Sequence, residues 1–245
     1  MILLMLLSLK ASKKAKYYED TINTMKNSKK IIIITTGIAI LVAGIVCKQE
    51  FFLMIPLFIS LFVMAFQSEA NRAGALIGSI NSLIYTAAYI YMGVYASAAS
   101  AILFSFPVQL MTFFRWKKNA YKKTAIFRKM TTKMRIAWIV AFLVVWAIMA
   151  AVFMHFDYEY AILDSCSFIF GFVIPILTML AYIEYTYLWI IQCVVGVFLN
   201  IQMVINDYKE TTYLIYGVYA LYCVIGAYLN VHKFYKEQQK TLSEV

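Results

Sequence analysis

The sequence predicts an all-α polytopic membrane protein of eight transmembrane helices. Composition is the first observation, because 63% of the 245 residues are hydrophobic and only 14% are charged. A soluble domain of this size cannot bury so much apolar surface. The second observation is that apolar stretches of about the length of a bilayer span recur along the whole chain. The third is a resemblance between two groups of three spans, which predicts two triples of helices around one linking helix, with an extra N-terminal span.

The apolar stretches predict spans at residues 31–48, 50–67, 73–94, 97–116, 136–155, 160–181, 185–205 and 211–231. Residues 50–116 then form the first three-helix repeat, 136–155 the linking helix and 160–231 the second repeat. Residues 117–135 are predicted as a basic cytoplasmic loop, and residues 1–30 and 232–245 as cytoplasmic tails. The N-terminal MILLMLLSLK is not interpreted as a signal peptide, since it is short and no small-residue cleavage site follows.

The distribution of basic residues predicts the orientation of these spans. If the N-terminus is inside, 20 of the 22 Lys and Arg residues lie in cytoplasmic segments, and only Lys48 and Lys209 lie outside. Cytoplasmic loops of membrane proteins carry this excess of positive charge. Both termini are therefore expected in the cytoplasm, and His155, Asp157 and Glu159 in an acidic loop outside. The net charge of +10 is explained by topology, and no nucleic-acid partner is expected.

Spans 2–4 resemble spans 6–8 in the placement of their polar and proline residues. Span 2 reads IPLFISLFVMAF and span 6 reads IPILTMLAYIE, so that Pro56 matches Pro175. Span 3 carries Asn81, Tyr85 and Tyr89 on one helical face, and span 7 carries Gln192, Gly196 and Asn200 at the same spacing. Four spans separate the starts of the triples, which gives them the same orientation. This predicted arrangement resembles the parallel repeat of the SWEET-type sugar transporters.

The stretch FSFPVQLMTFF places polar residues in the middle of an apolar span. Ser105, Gln109, Thr112 and Trp116 follow one helical stripe, and Pro107 removes a backbone hydrogen bond just before the glutamine. An unpaired amide in hydrocarbon is costly, so Gln109 must face protein or a wet cavity. Two interpretations remain open: a hydrogen bond that joins helices, or a ligand for a transported solute.

Amides and aromatic rings on matching helices suit a flat, polar, weakly charged solute, because rings stack on its faces and amides bind its edges. The candidate substrate-binding residues are Gln109, Asn81, Tyr85, Trp189, Gln192, Tyr185, Asn200 and Tyr219. Span 8 also carries Tyr213, Tyr216 and Tyr222, and its tyrosines cannot all face one cavity. For Trp116, which precedes two lysines, the role of an anchor at the membrane interface is favoured.

The motifs of enzymes and ATP-driven pumps are missing from the sequence. It has no Walker lysine motif, no HExxH and no Ser/His/Asp set, so no catalytic residue, cofactor or metal site is expected. The four cysteines lie in apolar segments without CxxC pairing and are interpreted as packing residues. Asp164 is the ionisable residue nearest to the membrane interior, whereas proton-driven carriers usually keep such a group at mid-depth.

The chain resembles the PnuC family of vitamin B3-type transporters over about residues 50–235. The resemblance rests on RAGALIGSINSLIYTAAYIYMGVYASAASAILFSFPVQLMTFFRWKKN and on IEYTYLWIIQCVVGVFLNIQM followed by TYLIYGVYALYCVIGAYLN. It implies a 3+1+3 fold, uptake of nicotinamide riboside, a homo-oligomer such as a trimer, and the bacterial inner membrane. It also implies that a cytoplasmic kinase traps the solute by phosphorylation.

Three positions depart from the pattern of that family. The family commonly has paired tryptophans before the span 7 amide, where this chain has Tyr185 and Trp189. It often has Asn or Asp where this chain has Gln192, and a glycine after PxQ where this chain reads LMTFF. Relatives carry thiamine, riboflavin or deoxynucleosides, so these departures bear on the identity of the vitamin.

The sequence thus leads to three expectations about function. The first is a facilitator for nicotinamide riboside or a closely similar precursor, which binds between the triples and moves downhill as the triples rock. The second is the same fold carrying thiamine or another vitamin or nucleoside. The third, of another class, is a membrane scaffold or receptor that transports nothing.

Overall fold

The computed structural model describes residues 28–91, 98, 101–156, 161–206 and 211–243. The side chains of Tyr89, Ala161, Asp164 and Asn206 are not described. The expected positions of Asp157 and Glu159 in an outside loop, and any role of Tyr89 or Asp164, therefore lie outside the described part of the chain.

The described residues form eight α-helices, with a π-helical segment at Ala101–Ser105 just before the fourth. They are α1 (Ser28–Val46), α2 (Phe51–Ser68), α3 (Ala73–Tyr91), α4 (Phe106–Lys118), α5 (Thr132–His155), α6 (Ala161–Met179), α7 (Tyr185–Asn206) and α8 (Thr211–Ser243). Five of them, α1, α2, α5, α7 and α8, are long and apolar enough to cross a membrane. Helices α3 and α6 contain the shorter apolar stretches Ala73–Ala88 and Ser165–Met179.

Helices α2–α4 and α6–α8 pack as two groups of three that meet along two seams. Helix α8 packs against α2, and α4 packs against α6. Leu57 and Leu61 of α2 and Val224 of α8 are almost fully buried in one core cluster, which also receives Ile40 of α1. The main packing partner of helix α5 is α6, and Ala150 is the only buried residue of α5. The cavity described below lies between the two groups.

The predicted cytoplasmic loop 117–135 has regular structure. Strand β1 (Ala120–Tyr121) pairs antiparallel with β2 (Thr124–Ala125) around a turn in which Lys122 has a φ of 54°. Further along, the backbone of Arg128 bonds to both Ala181 and Ile183, at 2.8 and 2.9 Å. The loop is therefore attached to the α6–α7 connection of the second triple.

Helix α8 continues well beyond the predicted span end at residue 231, so residues 232–243 of the predicted cytoplasmic tail are helical. Gln238 is 4% exposed and clamps the loop: its Nε2 donates to the Ala125 carbonyl, and its Oε1 accepts from the Phe127 N–H, both at 2.9 Å. The helix persists because this face has a protein partner.

Three ion pairs also join the segment 117–135 to the rest of the protein. Lys122 donates to Glu237 at 2.9 Å, and this hydrogen bond lowers the pKa of the glutamate, helped by the charges of Lys122 and Lys233. Partial burial raises the pKa of Glu69, but the bond from Lys123 at 2.8 Å and the charges of two lysines outweigh it, so the pKa is lowered. Arg135 pairs with Glu184 at 2.6 Å.

Candidate functional site

A cavity of about 280 Å³ lies between the two triples, close to the lower end of the range of about 300–1,000 Å³ for small-molecule sites. Its lining is Ser60, Val63, Met64, Gln67, Ala70, Asn71, Ala75, Gly78, Asn81, Ser82, Tyr85, Ser105, Gln109, Thr112, Trp116, Gly171, Ile174, Pro175, Thr178, Tyr185, Trp189, Gln192 and Tyr216. Helices α2–α4 supply one wall and α6–α8 the other. Six of the predicted site residues are thus brought together around one cavity: Gln109, Asn81, Tyr85, Trp189, Gln192 and Tyr185.

Gln109 is held by two serines of the first triple. Its Nε2 donates to Ser82 Oγ at 3.1 Å and to Ser105 Oγ at 3.0 Å, and the two hydroxyls lie 3.0 Å apart. Ser105 ends the π-helical segment, and Pro107 stands in the first turn of α4. Because a π-turn and a proline both disturb the regular backbone ladder, they set where the stripe from Ser105 to Trp116 faces. All four residues of that stripe line the cavity.

The glycine at position 78 makes room for the Gln109 amide. A Cβ atom at this position would collide with Gln109 Oε1 and lie 3.4 Å from a methyl group of Val63. Residue 78 lies one turn before Ser82, whose hydroxyl donates back to the Gly78 carbonyl at 3.0 Å. Since the nitrogen of Gln109 is engaged with serines, its carbonyl oxygen is the atom left to accept a bond from a solute.

Asn81 is 4% exposed and carries an acceptor without a partner. Its Nδ2 donates to Ser60 Oγ at 2.8 Å and to the Pro56 carbonyl at 3.2 Å. Its Oδ1 is buried and receives no hydrogen bond from the described residues. Such a group costs about 1–3 kcal/mol if it stays unsatisfied. A solute or water that donates to Oδ1 would recover this energy.

The opposite wall consists of aromatic and amide side chains on α7. Tyr185 begins the helix and is 2% exposed, and its ring centroid lies 6.1 Å from that of Trp189. Gln192, one turn after Trp189, lines the same cavity, as does Tyr216 of α8. Positions 185, 189 and 192 share a face because they are spaced by four and three residues.

Trp116 corrects a prediction, since it is not an exposed anchor at the interface. It is 4% exposed, its Nε1 donates to the Thr178 carbonyl of α6 at 2.9 Å, and its ring meets Phe127 edge-on at 5.6 Å. A tryptophan beside two lysines has the pattern of a membrane anchor. Here both lysines are exposed, whereas the indole is buried and lines the cavity between the triples.

Asn200 and Tyr219 do not line the cavity. Asn200 donates to the Tyr213 carbonyl at 3.3 Å, which joins α7 to α8. Tyr219 donates to the Leu61 carbonyl at 2.7 Å in the core between α8 and α2. Tyr216 takes the place on α8 that was expected for Tyr219.

Several hydroxyl and amide residues of the lining escaped the sequence reasoning, namely Ser60, Gln67, Asn71, Ser82, Thr178 and Tyr216. The serines and the threonine give little signal, because their hydroxyls can be satisfied by their own helix backbone. Asn71 in addition caps α3 by accepting from the Ala73 N–H at 3.0 Å. Gln67 was detectable as an amide near the end of span 2.

The chemistry of the lining is polar and aromatic without formal charge. No Asp, Glu, His, Lys or Arg is present among the described residues that line the cavity. Nor do three His, Cys, Asp or Glu side chains of the described chain come together as metal ligands. The arrangement can bind a small ring system through stacking and hydrogen bonds.

Comparison with known proteins agrees with this architecture. Residues 50–232 match the family described as "Nicotinamide mononucleotide transporter". No curated protein matches the chain. The structure is similar to "Crystal structure of the Vitamin B3 transporter PnuC", with a TM-score of 0.69, 17% sequence identity, and coverage of 85% of this chain and 92% of that chain. At this identity the likeness shows a shared fold.

The family match covers well over half of the chain and contains both triples. The resemblance to the PnuC family is therefore confirmed, as are the expectations of a multi-pass membrane protein and of a transporter that is not an enzyme. The chain belongs to the nicotinamide mononucleotide transporter family of membrane proteins.

Proposed function

We propose that this protein takes up nicotinamide riboside, or a closely similar vitamin precursor, across the bacterial inner membrane by facilitated diffusion. The observation that carries the proposal is the uncharged, ring-lined and amide-lined cavity between the triples. The pyridinium ring of the riboside is flat and positively charged, and aromatic faces attract such cations. Trp189, Tyr185 and Tyr85 supply those faces.

The hydrogen-bonding groups of the cavity suit the rest of the molecule. The Asn81 Oδ1 atom is a buried acceptor, and the ribose hydroxyls and carboxamide N–H groups of the riboside are donors. The Gln109 carbonyl and the Gln192 amide offer further partners. In this proposal the solute contacts Gln109, Asn81, Tyr85, Trp189, Gln192 and Tyr185, while Asn200 and Tyr219 serve packing.

The same lining favours the riboside over the mononucleotide. A phosphate carries about −1.5 to −2 charges at pH 7 and is usually held by arginine, lysine or helix N-terminal N–H groups. The described lining contains no basic side chain, so a buried phosphate would stay unpaired. A solute that enters without phosphate can be retained if a cytoplasmic kinase phosphorylates it, and trapping then needs no coupling ion.

A binding titration tests the proposal. Purified protein is titrated by calorimetry with nicotinamide riboside, nicotinamide mononucleotide, nicotinamide and thiamine. We expect the riboside to bind at least tenfold more tightly than the mononucleotide. Thiamine also has a flat cationic ring, and its tighter binding would assign the same cavity to the other vitamin. If none of the four bound to folded protein, the transport proposal would give way to a scaffold or receptor role.

A further inference from the structure

The extension of α8 beyond the predicted span carries an open groove on its outer face. The groove is lined by Tyr228, Leu229, His232, Lys233, Lys236, Glu237 and Lys240. These positions recur every three to four residues and so form one face of the helix. The opposite face holds Val231 and Gln238, which are buried against the rest of the protein. The groove therefore lies on the face of α8 opposite Val231 and Gln238, with Tyr187 of α7 at its border.

The groove lies where an apolar surface ends and a basic one begins. Val218, Ile225 and Leu229 are 57%, 46% and 61% exposed, as expected for side chains that face lipid. Lys233 follows one turn after Leu229, and Lys236 and Lys240 continue the same face. A stripe of this kind places its lysines at the depth of the lipid headgroups.

A cluster of three rings borders the upper end of the groove. The Tyr187 hydroxyl lies 2.9 Å from His232 Nε2, while His232 Nδ1 lies 2.9 Å from the Tyr228 carbonyl. The Tyr228 and His232 ring centroids are 4.3 Å apart. Rings with one polar edge favour the boundary between hydrocarbon and water.

The net charge of the groove is positive. Among the described residues, none of Lys233, Lys236 and Lys240 forms an ion pair. The carboxylate of the groove, Glu237, is paired with Lys122 at 2.9 Å, so its negative charge is largely neutralised. Three lysines thus remain for an anion that approaches from the membrane side.

We propose that this groove binds the headgroup of an anionic phospholipid, with its phosphate between the three lysines and its acyl chains along the face of Leu229. The continuity of the groove with the lipid-facing surface favours a lipid over a soluble anion, because only a lipid satisfies the basic and the apolar part together. Basic residues directly beside a transmembrane helix attract anionic lipid with about 1 kcal/mol each.

Native mass spectrometry of the full-length protein in one detergent tests this. The probes are dioleoylphosphatidylglycerol and dioleoylphosphatidylcholine, which share their acyl chains and differ in headgroup charge. We expect tighter binding of the anionic lipid, and about a fivefold loss for each lysine replaced, since about 1 kcal/mol corresponds to that factor. The test variant is Lys233→Gln/Lys236→Gln/Lys240→Gln.

The matched control is Lys117→Gln/Lys118→Gln/Lys129→Gln, which removes the same charge from exposed positions in the last turn of α4 and in the segment that follows it. It should retain the binding of the wild-type protein. Inorganic phosphate and glycerophosphoglycerol, the headgroup without acyl chains, should not compete at equal concentration. Equal binding of both lipids, an equal loss in both triple variants, or competition by the free anions would each overturn the proposal.

Discussion

At the level of single residues, the depth of a side chain along its helix was harder to predict than the face it occupies. Gln192 and Asn200 share a face of α7 at helical spacing, yet Gln192 lines the cavity and Asn200 binds the backbone of α8. Helical periodicity determines the face on which a side chain lies but not its position along the helix axis relative to the cavity. The cavity occupies only part of the length of α7. The same reason separates Tyr216 from Tyr219, one turn apart on α8.

Gln109 offers the sharpest test of the proposed site. Replacement by leucine removes the carbonyl acceptor, and leaving a solute donor unsatisfied costs about 1–3 kcal/mol, roughly a tenfold to hundredfold loss of affinity. Ser82 and Ser105 still bond to each other, so the melting temperature should change little. Binding and thermal unfolding are measured on the same sample.

The control for that experiment is Gln202→Leu, because Gln202 is an exposed glutamine on α7, away from the cavity. It should leave solute affinity at the wild-type value. Unchanged affinity in Gln109→Leu together with a lower melting temperature would make Gln109 a structural link between helices and move the binding site elsewhere.

A second prediction concerns Gly78, whose replacement should change the position of the Gln109 amide without removing it. In Gly78→Ala the new methyl group collides with Gln109 Oε1, so the amide must turn away from its two serines. We expect a loss of solute affinity of at least tenfold in equilibrium binding. Gly196→Ala is the matched control, because a Cβ atom there meets nothing within 4 Å. Wild-type affinity in Gly78→Ala would show that the orientation of Gln109 is unimportant for binding.

At the level of elements, the helices could be predicted from hydropathy, but their ends on the loop side could not. The pattern of apolar residues indicates contact with lipid. This pattern ends at His232, where α8 leaves the predicted bilayer. The helix nevertheless continues to Ser243, because Gln238 and its neighbours pack on the loop. The β1–β2 hairpin was missed for a related reason: its turn is Lys122–Lys123, without the glycine or asparagine that usually marks a tight turn.

The clamp between α8 and the hairpin should contribute to stability. Gln238→Leu would leave the Ala125 carbonyl and the Phe127 N–H without partners, at about 1–3 kcal/mol for each buried group. We expect a clearly lower melting temperature and faster hydrogen exchange at residues 125–127. Gln239→Leu, at the exposed neighbouring position, should behave as wild type. Equal melting temperatures of the two variants would contradict a stabilising clamp.

At the level of the whole molecule, the charge distribution predicts the topology. Reporter fusions after residue 125 and at the C-terminus should give cytoplasmic signals, since 20 of 22 basic residues then lie inside. A fusion after residue 157, in the acidic loop, should report the opposite side. An external signal at residue 125 or at the C-terminus would refute the eight-span arrangement.

The uncharged lining of the cavity predicts downhill transport. Proteoliposomes without an ion gradient should equilibrate labelled nicotinamide riboside, because the described lining holds no carboxylate or histidine to carry a proton. Empty liposomes provide the control for leakage. Accumulation above equilibrium that collapses with a protonophore would reveal a coupled carrier, and Asp164→Asn would be the first variant to examine.

The linking helix α5 has a consequence for how such a chain can arise. Copying a unit of three crossings end to end would place the second copy upside down in the bilayer, because three is odd. One more crossing restores the direction, and α5, with 24 residues of which only Ala150 is buried, is long and apolar enough to supply it. The residues in the middle of α5 need only be apolar, so their identity is weakly constrained. Without such a spacer, the second triple would run in the opposite direction to the first.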